Sequence, residues 1–174
     1  HAAGQLHKMP LYIDDEPAIT LPSLRAKCRR IASKLSKRGI RLRVVILDYL
    51  QLMGNAEKTD NREQQVSQNS RGLKRLAGEL EVCSIALSQL NRAAVNGKAT
   101  RPQLQNLRES GAIEQDADQV VFIHRENEDD VTSEIIVAKG RSYGGDTAKV
   151  RWTKKYARFD TLEDGEEPDA CPGW

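Results

Sequence analysis

Strands that alternate with helices and then close in hairpins predict an α/β fold: three layers around a mostly parallel central sheet, with C-terminal hairpin strands. Two observations carry this prediction. Val44–Leu47 and Cys83–Leu87 are short, almost wholly apolar runs separated by a helical pattern, as in parallel strands joined by a crossover helix. Beyond residue 119 the apolar runs follow one another with only turns between them, as hairpins do. The 174 residues suffice for one domain that buries roughly two-thirds of the unfolded chain's surface. Residues 1–160 are expected to form that domain, and 161–174 an acidic, loosely held tail rich in Glu, Pro and Gly.

Taken in order, Leu11-Tyr12-Ile13 reads as a buried strand stopped by Asp14-Asp15-Glu16-Pro17. Thr20-Leu21-Pro22 then supplies an N-cap and an early proline. Leu24, Cys28, Ile31 and Leu35 follow at helical spacing, Arg and Lys take the opposite face, and Gly39 stops the helix. Val44–Leu47, apolar on both faces, reads as a central parallel strand ending in Asp48. A second helix carries Val66, Leu73, Leu76 and Leu80 as its apolar marks, and the buried strand Cys83–Leu87 ends in Ser88-Gln89. The polar stretch Asn91–Asn106 is long enough to suggest a functional loop. A helical turn over Ile113–Ala117 precedes strands Gln119–His124, Glu134–Ala138 and Thr147–Thr153, with a Gly-rich hairpin at Gly140–Gly145.

Composition excludes several classes. An apolar share of 39% with a net charge of only +2 does not describe a disordered chain. No apolar run approaches the ~18 residues of a membrane span, and no signal peptide opens the sequence, so a cytoplasmic location is expected. Three cysteines without CxxC spacing argue against a zinc site or disulfide framework. Aromatic residues are only 5%, too few for a base-stacking platform.

Several residues could carry chemistry. Ligands of parallel α/β sheets bind at the carboxyl ends of the strands, which puts Asp48 and Ser88-Gln89 on one rim. Asp48 has two readings, a helix-cap or loop residue and a Walker B carboxylate holding Mg²⁺ beside phosphates. Gln89 either caps a loop or presents its amide to a phosphate oxygen. Arg108-Glu109-Ser110-Gly111 is either an ordinary turn or a phosphate-binding loop whose backbone N–H groups are exposed around the glycine. Lys139-Gly140-Arg141 suits a solvated hairpin edge or a pair of cations aimed at a neighbour's phosphate.

The wording and order of these segments decide among the readings. "VVILDYLQLM" (Val44–Met53), "REQQVSQNSRGLKRLAGEL" (Arg62–Leu80), "IALSQLNRA" (Ile85–Ala93), "RPQLQNLRESGAIEQDADQVVFIHR" (Arg101–Arg125) and "EIIVAKGRSYG" (Glu134–Gly144) occur in sequence. Together they resemble the C-terminal RecA-like motor domain of the DnaB-type replicative DNA helicases, from Leu11 to about Asp160. The resemblance implies ATP and Mg²⁺ as ligands, with Asp48 as the Walker B carboxylate on the metal and Gln89 as a γ-phosphate sensor. It implies that Arg108, Glu109 and Gly111 touch single-stranded DNA in a central channel. It further implies that Lys139 and Arg141 reach the nucleotide of an adjacent subunit, Arg141 as arginine finger. The implied partners are single-stranded DNA, further subunits of a homo-hexameric ring, and a primase or helicase loader; a membrane is not among them.

No GxxxxGK[ST] phosphate loop occurs in the sequence. The resemblance places that loop, and the family's catalytic glutamate, upstream of residue 1, and the chain opens on His1 rather than Met. A partial motor domain is therefore expected, unable to hydrolyse ATP by itself. The alternative is a free-standing relative without the phosphate loop, acting as a non-hydrolysing DNA- or helicase-binding module. Retention of Asp48, Gln89, Lys139 and Arg141 favours the motor, since a non-catalytic module has little physical use for an arginine finger. A recombinase or clock-type ATPase of the same superfamily would not be expected to carry "LRESGAIEQDAD".

Overall fold

A computed structural model of the chain describes residues 4, 9–54, 61–90, 101–107, 111–127, 129–140 and 145–162. Helix α1 spans Leu21–Ser36, strand β1 Val44–Leu47, helix α2 Arg62–Leu80 and strand β2 Cys83–Ala86. A short helix α3 (Gly111–Asp116) precedes strands β3 (Val120–His124), β4 (Thr132–Lys139), β5 (Asp146–Thr153) and β6 (Arg158–Thr161). β1 and β2 pair in parallel, and β3-β4-β5-β6 form a four-stranded antiparallel sheet in sequence order. The expected parallel crossover pair and C-terminal hairpins are both present, as two separate sheets among the described residues. Among the described residues no helix is long and apolar enough to cross a membrane.

Local chemistry sets the helix ends. Thr20 caps α1, its side chain accepting from the Ser23 N–H, with Pro22 in the first turn. The chain turns away at Gly39, where φ is +68°. Asn61 caps α2 by accepting from the Gln64 N–H at 3.1 Å. Arg25 and Arg29 of α1 both bind Glu79 of α2. Those bonds, Arg29 first, hold the Glu79 carboxyl below its ordinary range. Both arginine side chains are about half exposed, so the pairing orients the helices more than it stabilises them.

Two apolar clusters meet at one residue. Leu47, Leu50 and Met53 pack with Val66 and Leu73 of α2, beneath Leu21 and Leu24 of α1. Leu107, Val120, Phe122 and Ile136 form the second cluster. Ile113 of α3 touches both, so this six-residue helix joins the parallel and antiparallel parts of the fold.

Three expectations need correction. Leu11–Ile13 is not a strand: the segment is irregular and Ile13 is 85% exposed. A strand needs an edge to pair with, and this segment is instead held through its acidic turn, where Lys27 binds Asp14 and Glu16. Neither β1 nor β2 is buried on both faces. Val45 and Leu47 face the helices, whereas Ile46 and its register partner Ile85 are 65% and 47% exposed; the described helices cover one face only. Finally, β6 is an addition to the expected strands. It is a four-residue strand placed by a turn through Ala157 at φ 46° and by the Trp152–Phe159 ring pair, 4.6 Å between centroids. The expected tail lies almost wholly outside the described residues, which end at 162.

Gly54 closes the loop before the α2 region. Its N–H donates to the Ile19 carbonyl at 3.0 Å, and a Cβ there would lie 2.4 Å from the Ala18 carbonyl oxygen. Backbone cannot yield as a side chain can, so Gly54→Ala should lower stability by about 1–3 kcal/mol. Gly78→Ala, in α2 with nothing within 4 Å of the added methyl, should instead raise it by up to about 1 kcal/mol. Thermal unfolding followed by circular dichroism distinguishes the two; equal midpoints would contradict the crowding at Gly54.

Candidate active site

The register Leu47↔Ala86 brings β1 and β2 to their carboxyl ends side by side. Backbone bonds continue past both strands: Leu87 N–H donates to the Leu47 carbonyl at 2.9 Å, and Leu50 N–H to the Leu87 carbonyl at 2.8 Å. Asp48 therefore leaves β1 on the same rim as Ser88 and Gln89 leave β2. Asp48 is exposed, and its peptide bond to Tyr49 is cis.

After Tyr49 the chain folds into a tight 3₁₀ turn, Leu50–Leu52, which drives Leu50 and Met53 into the core. Gln51 is left on the rim, where its side-chain amide spans to the other strand. Nε2 donates to Ser88 Oγ at 2.9 Å and to the Gln89 carbonyl at 3.2 Å, while Oε1 accepts from the Gln89 N–H at 3.2 Å. On the core side of the turn, Gln65 of α2 donates to the Met53 carbonyl at 2.7 Å. Asp48 and Gln89 thus leave their strands on one rim, and Gln51, which the sequence reading overlooked, bonds across it. Its only sequence signal is a polar residue between two leucines shortly after the strand.

Among the described residues, no group of three or more His, Cys, Asp or Glu could hold a metal. Mg²⁺ does not require one. It keeps several waters and is bound by one or two carboxylates together with substrate phosphates. A single exposed carboxylate at the end of a parallel strand fits that donor set.

The remaining predicted residues lie in the other half of the fold. Gly111 begins α3, is exposed, and has nothing within 4 Å of where a Cβ would stand. Arg108, Glu109 and Arg141 lie outside the described residues. Of the described residues on either side of Arg108 and Glu109, Leu107 is buried in the second apolar cluster and Ile113 touches both clusters. Lys139 ends β4 with its ammonium on α3, donating to the carbonyls of Glu114 at 2.5 Å and Ala117 at 2.8 Å. A cation on the last carbonyls of a helix is favourably placed against the helix dipole. It also ties α3 to the strand that leads to Arg141. Lys74 of α2 binds Asp118 just beyond α3.

A parallel pair with a carboxylate and a glutamine on one rim, continued by antiparallel strands, defines a RecA-like ATPase domain. Comparison with known proteins agrees. The model of the DnaB-like helicase C terminal domain matches residues 1–161. The replicative DNA helicase DnaB of Leifsonia xyli subsp. xyli is 48% identical over 162 residues, covering 90% of this chain and 34% of that protein. The DnaB of Geobacillus stearothermophilus is 44% identical over 169 residues, covering 93% and 36%. Among solved structures, a DnaB-like replicative helicase described with its interactions with primase superposes with a TM-score of 0.81 at 38% identity, over 93% of this chain and 40% of that one. A second solved structure, of an ATPase domain, also gives 0.81 at 38% identity, over 93% and 58%. The chain belongs to the DnaB-like helicase C-terminal domain family. It spans about a third of the length of the two DnaB proteins.

The Lys139 contacts are open to test. Lys139→Met keeps the aliphatic stem and removes the donors. The Ala117 amide, which closes the last turn of α3 on the Ile113 carbonyl, should then exchange with deuterium about tenfold faster, with α2 amides unchanged. Unaltered exchange at Ala117 would show that the ammonium does not hold this helix end.

Proposed function

We propose that this chain supplies half of an ATP site and one DNA-contacting loop to a ring-shaped replicative DNA helicase motor. The observation that supports it most is the shared rim of Asp48 and Gln89, joined through Gln51. On this reading the nucleotide lies across the rim, with Gln89 close to its terminal phosphate. Mg²⁺ held by Asp48 would neutralise charge on the phosphate oxygens. The cradle of backbone N–H groups and lysine that such a site needs comes from outside these 174 residues.

Each residue then has a distinct task. Asp48, exposed on the end of a hydrogen-bonded strand, offers a fixed negative charge to the metal. Gln89 detects the terminal phosphate, and its backbone lies two residues before the polar stretch that begins at Asn91. Arg141 enters the adjacent subunit's site and spreads the charge that develops on the transferred phosphoryl group. An arginine finger of this kind is worth about 10³–10⁵ in rate. Lys139, expected to reach the adjacent subunit's nucleotide beside Arg141, instead has its ammonium on the α3 carbonyls of its own chain, where it fixes β4 against α3. Arg108, Glu109 and Gly111 meet the sugar–phosphate backbone of single-stranded DNA, a contact that gives affinity without reading sequence. A finger supplied in trans makes hydrolysis depend on ring assembly, the condition a translocating hexamer requires. The relative described with its primase interactions supports a primase as a further partner of the whole machine.

Rings assembled from subunits that join this segment to a phosphate-loop half test the trans role. Arg141→Ala should abolish hydrolysis and leave nucleotide binding largely intact. In mixed rings the loss should exceed the mutant fraction, because each altered subunit silences its neighbour's site. Activity falling only in proportion to the mutant fraction would refute it. In the same rings, Arg108→Ala should weaken single-stranded DNA binding uniformly across sequences and reduce the salt slope by about one unit. An unchanged slope would remove Arg108 from the DNA path.

A further inference from the structure

We infer that Gln51 is a positioning residue which fastens Gln89 to the Asp48 strand, so that the carboxylate and the sensor move as one rigid rim. The inference rests on the role proposed above for Gln89 and adds the group that transmits it. Past Leu87 the two backbones can no longer pair directly. The segment after β1 has folded into its 3₁₀ turn, where Leu52 N–H donates to Tyr49 and Met53 N–H to Leu50. Gln51 fills the gap with a side-chain amide, which carries the same donor and acceptor as a peptide group.

The orientation of that amide follows from its partners. The Gln89 N–H can only donate, so Oε1 must face it. Nε2 then faces Ser88 Oγ and the Gln89 carbonyl, both able to accept. Reversing the amide would set two donors against each other at Gln89. The Gln89 backbone is thereby held at both its N–H and its carbonyl, whereas its side chain lies at the exposed rim. Gln51 is itself anchored by its neighbours, since Leu50 and Met53 are buried to 2% exposure and Gln65 grips the Met53 carbonyl. A displacement at Asp48 is therefore carried through a packed turn and a bidentate amide to residue 89, and from there towards the stretch that begins at Asn91.

Hydrogen exchange on the 174-residue chain tests the contact, with isosteric variants separating hydrogen bonding from packing. Gln51→Met fills the same space without polar amide atoms. The Gln89 amide should exchange at least about tenfold faster, while Leu50 and Leu87, bonded backbone to backbone, keep their protection. Gln51→Glu retains the acceptor for the Gln89 N–H but sets its second oxygen against the Gln89 carbonyl, so protection at Gln89 should lie between that of Gln51→Met and that of the unaltered chain. An unchanged Gln89 amide in Gln51→Met, or equal loss at all three amides, would overturn the inference. In helicase rings carrying this segment, Gln51→Met should lower the DNA-stimulated kcat for ATP by about fivefold or more and leave the nucleotide KM within about twofold. Rings in which Gln51→Met and Gln89→Ala both keep full stimulation, despite the exchange change, would sustain the contact and overturn the sensor role of Gln89 instead.

Discussion

The parallel pairing of β1 with β2 is the constraint on which the rest of the site depends. In a parallel pair both strands finish at the same end, so whatever follows each of them is brought to one rim. Without that pairing Asp48 and Gln89 are two polar residues 41 positions apart in sequence. With it they stand across a few hydrogen bonds from each other. The pairing is in turn held by the crossover helix: α2 packs Val66 and Leu73 against Leu47 and Leu50, so the helix that connects the strands also fixes the turn carrying Gln51.

The second half of the fold follows a different logic. Its four strands are antiparallel neighbours, joined in order, and Lys139 at the end of β4 turns its ammonium onto α3. α3 is the joint between the two halves. Its Ile113 packs into both cores, its carboxyl end is capped by Lys139 of β4, and Asp118, just beyond it, is bound by Lys74 of α2. The helix that follows Arg108 and Glu109 in sequence therefore contacts both the parallel pair and the antiparallel sheet. Six residues can do this because every contact falls within two turns.

Much of this was legible in the residues. Thr20, Pro22 and Gly39 marked the ends of α1 because capping is a local matter of donors, acceptors and φ. The runs Val44–Leu47 and Cys83–Leu87 were readable as strands because they are short, almost wholly apolar and bounded by polar residues. What the residues did not disclose depended on distant neighbours. Apolar character on both faces of β1 says that the strand is suited to double cover, not which cover the described residues provide. Leu11–Ile13 has strand composition, but pairing is a property of the edge it meets. β6 depends on Ala157 adopting φ 46° and on Phe159 finding Trp152, and neither is written in a periodicity.

Gln51 illustrates the same boundary at the site itself. Asp48 and Gln89 were conspicuous because each follows an apolar strand. Gln51 lies within "DYLQLM" with nothing to set it apart by type, and its importance arises only because the turn around it uses up the backbone groups that would otherwise have paired with Gln89. Where two strands must part so that one can turn into the core, their separated ends are left with unpaired peptide groups, and a side-chain amide is the simplest chemical substitute for the lost partner. A rim built this way is stiff in the direction that links Asp48 and Gln89 and exposed at both residues, the combination that the proposed sensing of a phosphate needs.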